Sequence, residues 1–133
     1  MGDQFWRIVF LTAAIFNSAV GLSVAFDTSG WAASLGVETL RYDTLYSPLT
    51  GMFIVLFGGF YIAVARDLEN RAIVVVSTLG KLTAFMLVVH AWARGLAPAA
   101  VAALAVIDLV YAMLFTLFLL ARRDWPELPP TVR

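Results

Sequence analysis

A chain of 133 residues that is 62% hydrophobic and only 14% charged lacks the polar surface of a soluble domain, where about a quarter of residues carry charge. Its mean hydropathy of +0.88 assigns its solvent to lipid. Nine basic residues balance nine acidic ones and cysteine is absent, so no net field favours nucleic acid, and thiol redox chemistry, disulfides and cysteine-held metals are excluded.

A run must hold about 17–25 apolar residues to cross a bilayer as a helix. The first such run is Phe5 to Phe26. It is too long for the apolar core of a secretory leader, and Arg7 alone stands for a basic leader segment, so it reads as a span although Ser23-Val24-Ala25 resembles a cleavage site. The loop Asp27–Ser47 follows, with Trp31, Tyr42 and Tyr46 suited to a membrane interface. Within it, TSGWAASLG is expected to form a short interfacial helix ending at Gly36.

The second span is Leu49 to Ala65, opened by Ser47 as N-cap and Pro48 as first helical residue. Arg66 to Arg71 form a short charged turn before the third span, Ala72 to Ala93. Only Arg94 to Ala97 separate that from the fourth, Pro98 to Ala121, and a tail covers 122–133. Short connections make successive helices antiparallel neighbours. The expected fold is all-α: a single membrane domain, an integral four-transmembrane-helix bundle running up-down-up-down.

Arg7, Arg66, Arg71, Arg122, Arg123 and Arg133 fall on one side of the membrane, against Arg41 and Arg94 on the other. Basic residues accumulate on the cytoplasmic side. Both termini are therefore expected in the cytoplasm of a bacterial cell, with the chain multi-pass in the inner membrane.

Lys81 interrupts the third span nine residues in, about 13–14 Å deep, and Asp108 lies about 15 Å from the outer face in the fourth. The two depths agree within about 3 Å, and the hairpin makes the two helices adjacent. A bare charge at the bilayer centre costs at least about 2.5–3.5 kcal/mol, so Lys81 and Asp108 are expected to pair. Asn17, near mid-depth in the first span, has an amide able to bond both partners. Tyr111, three residues from Asp108, shares its face, and Thr78 and Thr83 are further polar residues. A narrow cavity is expected to open toward the outer loop past Gly51, Gly58 and Gly59 and to end near Tyr61, Lys81, Asp108 and Tyr111. A purely structural lock by the same cluster predicts tight packing instead.

His90, the only histidine, falls on the opposite side of its helix from Lys81, near the outer interface, and reads as an interfacial hydrogen-bonding residue. The stripes Ala13/Asn17/Gly21, Gly51/Gly58, Gly59/Ala63 and Ala105/Asp108/Ala112 read as helix contacts. No phosphate loop, HExxH or metal-ligand spacing occurs, and neither a catalytic residue nor a metal or cofactor is assigned.

FGGFY with ARD in the second span, LGK in the third and an aspartate in the fourth give a chain that resembles, over Thr50 to Arg123, small four-helix bacterial inner-membrane proteins of the broadly DoxX-like type. The resemblance implies a subunit of a quinone-linked oxidoreductase and transfers no catalytic residue. Two functions follow. One is binding or translocation of a small amphiphilic or anionic ligand at the midplane centre formed by Lys81, Asp108, Asn17, Tyr61 and Tyr111. The other is a non-catalytic accessory subunit of a larger membrane complex, quinone-linked or lipid-modifying. The partners are the lipid bilayer, the ligand, and a second copy or larger assembly. An enzyme using Lys81 or Asp108 for acid–base work is weaker, because no second carboxylate or nucleophile–base pair accompanies them.

Overall fold

The computed structural model describes residues 2–26 and 45–122. They form four helices: α1 (Asp3–Phe26), α2 (Tyr46–Arg66), α3 (Arg71–Ala93) and α4 (Ala99–Ala121). All four are long and apolar enough to cross a membrane, and each covers the expected span to within three residues at either end. The expected interfacial segment TSGWAASLG, with Trp31 and Tyr42, and the tail from Arg123 lie outside the described residues.

Each helix boundary has a local cause. Helix α2 starts three residues earlier than expected, with Leu45 rather than Ser47 at the N-cap and the Leu49 amide bonded to the Leu45 carbonyl at 3.2 Å. Pro48 still costs nothing, because the first four helical amides have no intrahelical acceptor. At the α2–α3 turn, the Asp67 carboxylate accepts from the Glu69 amide at 3.0 Å, an Asx-type turn. Asn70 caps α3 by accepting from the Ile73 amide at 3.4 Å. Between α3 and α4, Gly95 takes φ +70°. Its amide bonds Trp92 O at 2.8 Å and the Leu96 amide bonds Ala91 O at 2.9 Å, the paired bonds of a Schellman stop. That tight reversal sets α4 directly against α3.

Helices α1 and α2 lie along each other, as do α3 and α4, and the two antiparallel pairs face one another mainly through side chains. The α1–α2 approach depends on missing side chains. A Cβ placed on Gly51 would stand 2.4 Å from both the Gly21 carbonyl oxygen and the Ala25 nitrogen, and one on Gly58 would stand 2.8 Å from Ser18 Oγ. Backbones can come this close only where small residues meet. Gly59 and Ala63, expected as another contact pair, instead face outward, and nothing lies within 4 Å of where a Gly59 Cβ would be.

Among the described residues the core is lopsided. Trp6, Phe10, Tyr61, Val64, Val74, Phe115 and Phe118 are the large apolar side chains buried to 2% exposure or less, and all lie in the half of the bundle toward Asp3, Arg66, Arg71 and Ala121. Phe10 stacks on Phe115 at 4.8 Å, while Trp6 and Phe118 meet edge to face at 5.3 Å. Leu68, from the turn, joins this cluster. Polar ties close the same end. Arg7 Nη1 donates to the Ala65 carbonyl at 2.5 Å and the Arg66 carbonyl at 3.1 Å. Arg71 reaches the Arg122 carbonyl, and Arg122 pairs with Asp3. Arginines on helix C-terminal carbonyls satisfy groups that the helix leaves open.

Candidate functional site

Lys81 is the eleventh of the 23 residues of α3 and Asp108 the tenth of the 23 of α4, so both sit near mid-span. Lys81 Nζ donates to Asp108 Oδ1 at 2.5 Å and to Asn17 Oδ1 at 2.9 Å. The Asn17 amide nitrogen donates in turn to the Ile54 carbonyl of α2 at 3.5 Å, so the centre ties all four helices. Three aromatic faces surround the ammonium, with ring centres at 5.3 Å (Tyr111), 5.4 Å (Tyr61) and 5.7 Å (Phe16). At these distances each ring quadrupole attracts a cation.

The two charged partners differ in surroundings. Lys81 is 4% exposed and Asp108 is 24% exposed. Asp108 does not face lipid: Ala105, Ala112 and Phe115, which share its stripe on α4, are all buried. Toward the Phe26, Ala93 and Ala99 ends, the inward-facing Val20, Val24, Ile54, Phe85, Val88 and Leu104 are only half-buried. At the arginine-rich end Trp6, Phe10, Tyr61, Val64, Val74, Phe115 and Phe118 are fully buried, with Phe57, Ile73, Leu114 and Leu119 partly buried against them. Among the described residues the site therefore has a packed aromatic floor on one side and a loosely filled apolar interior on the other.

All five residues singled out from sequence converge here. Phe16 was missed, because a phenylalanine within an apolar span carries no signal of its own. Ser77 was missed as well. One turn before Lys81 and close to the Tyr61 phenol, it is 1% exposed, and its hydroxyl makes no hydrogen bond of ordinary geometry among the described residues. Thr78 takes no part, since its hydroxyl bonds the Val74 carbonyl of its own helix at 2.8 Å. Thr83 and His90 are exposed.

The cavity expected past Gly51, Gly58 and Gly59 has no opening at Gly51 or Gly58, because the α1 backbone fills the space their missing side chains leave, and Gly59 faces outward. The apolar groove along Leu49, Met52, Phe53, Val55 and Leu56 runs over an outer face of α2 rather than to the charged pair. No group of three or more metal-binding side chains occurs among the described residues. The fold and composition define a small multi-pass integral membrane protein. No family model, curated protein or solved structure matches the chain.

Proposed function

We propose that this protein binds a small amphiphilic ligand within the bundle, with the headgroup at the Lys81–Asp108 centre and the apolar part along the loosely packed half. The observation that carries this reading is the position of Asp108. It is a mid-span carboxylate on a buried stripe that nonetheless keeps 24% of its side-chain surface open. A site that only locked helices together would gain by closing over that carboxylate with a second donor, since a carboxylate oxygen without a hydrogen bond in the membrane interior is costly. The plug formed by Phe10, Phe115, Phe118 and Trp6 supports binding from one side rather than passage through. The arginine distribution supports a bacterial inner-membrane setting, with the plugged end cytoplasmic and the open end outside.

A membrane-impermeant maleimide tests access and orientation together. Single cysteines at Val88 and Leu104 should react from the outer face of sealed vesicles, and a cysteine at Glu69 only from the inner face. Cysteines at Val88 and Leu104 that react from neither face would remove the binding reading. Reaction at Glu69 from outside would reverse the orientation.

A second reading has one observation of its own. The outward face of α2, with Gly59 and Ala63 exposed beside the Leu49–Leu56 groove, would suit a neighbouring helix and hence an accessory subunit, as the DoxX-like motifs imply. Extraction in mild detergent separates the two. A retained partner protein supports the subunit, and a monodisperse single chain counts against it.

A further inference from the structure

The charge arrangement at the centre restricts what kind of headgroup fits. Lys81 is the only basic residue deep within a span, and its charge is already committed. Two of its three N–H donors point to Asp108 and Asn17, and three rings cover the rest of the ammonium. At 4% exposure it offers nothing to an incoming anion. Asp108 is committed through Oδ1 alone. Its other oxygen has no hydrogen bond among the described residues, although the side chain keeps 24% of its surface exposed. A cationic headgroup would meet that oxygen beside an ammonium already 2.5 Å from its neighbour, so the pair is close to neutral as a unit and gives a second cation little net attraction.

A neutral hydroxyl has neither difficulty, and its hydrogen bond to a carboxylate is charge-assisted. Tyr111 adds a second polar contact. It is three residues from Asp108 on the same face, it is half-buried, and its hydroxyl forms no hydrogen bond among the described residues. A phenol both donates and accepts.

We infer that the crevice takes a neutral, hydroxylated amphiphile, with Asp108 accepting one headgroup hydroxyl and the Tyr111 phenol engaging a second oxygen. This rests on the ligand-binding reading above. Headgroups bearing adjacent oxygens, as in a monoacylglycerol, match the acceptor and the donor together. An anionic amphiphile, which a lysine in an apolar span suggests at first sight, does not.

The test uses the full chain in phosphatidylcholine nanodiscs and three labelled probes of equal chain length: 1-monolauroylglycerol, laurate and dodecyltrimethylammonium. Binding is measured above that of empty nanodiscs. Monolauroylglycerol should bind saturably and about tenfold tighter than either charged probe, the difference one charge-assisted hydrogen bond supplies. Asp108→Asn, which keeps an oxygen for Lys81, and Tyr111→Phe should each weaken it several-fold, and saturating ligand should shift a carboxylate infrared band in the unsubstituted protein that is missing from Asp108→Asn. Tighter binding of laurate or of the ammonium probe, or unchanged affinity in Tyr111→Phe, would overturn the headgroup assignment while leaving a binding site. If Asp108→Asn does not fold, Tyr111→Phe decides by itself. If no probe saturates, the binding reading itself fails.

Discussion

Substituting Lys81 and Asp108 singly and together measures how far the pair holds the bundle. Removing one partner of a buried ion pair commonly costs about 3–5 kcal/mol, because the other charge is stranded. Here the geometry lowers both figures. After Asp108→Leu, Lys81 keeps Asn17 Oδ1 at 2.9 Å and three ring faces, each worth about 0.5–2 kcal/mol, so a loss of about 2 kcal/mol is expected. After Lys81→Met, Asp108 loses its one hydrogen-bond donor but keeps its open side, so a loss of about 2–3 kcal/mol is expected. The double variant strands no charge and should lose about 2–3 kcal/mol rather than the sum of about 4–5 kcal/mol, a coupling of about 1–3 kcal/mol. Unfolding in mixed micelles titrated with dodecyl sulfate, followed by far-ultraviolet circular dichroism, gives all four corners of the cycle. Losses that add to within about 0.5 kcal/mol would mean that the two charges do not stabilise one another and would refute the reasoning.

Gly51→Ala should destabilise by about 1–3 kcal/mol in the same assay, because its Cβ would stand 2.4 Å from two backbone atoms of α1. Gly59→Ala meets nothing within 4 Å and should be neutral or gain up to about 1 kcal/mol in helix propensity; equal losses at both positions would contradict the close α1–α2 approach. Ser77→Ala should change stability by less than about 0.5 kcal/mol, since its hydroxyl makes no hydrogen bond of ordinary geometry among the described residues. A loss above about 1 kcal/mol would instead reveal a bridging water beside Tyr61.

The amino-acid sequence alone determined the class of this protein and the position of its polar centre. Four apolar runs of sufficient length leave few alternatives to four helices, since every backbone polar group in lipid must be satisfied within the structure. Depth counting and the short Arg94–Ala97 connection pair Lys81 with Asp108 from the sequence alone, because a charge at mid-membrane demands a partner and only one carboxylate lies at that depth on an adjacent helix. Tertiary structure decided the rest. The sequence does not distinguish Gly51 and Gly58, which meet α1, from Gly59, which faces outward, and it does not mark Phe16 as part of the lysine's aromatic surround. Nor does it show that, among the described residues, one half of the bundle is packed with aromatic rings while the inward positions of the other are only half-buried. The physical reason is common to all three. In lipid the outward and inward faces of a helix are both apolar, so hydrophobic periodicity, which separates core from surface in water, carries little information here. Which face is buried, and how tightly, depends on the size and shape of side chains brought together from other helices.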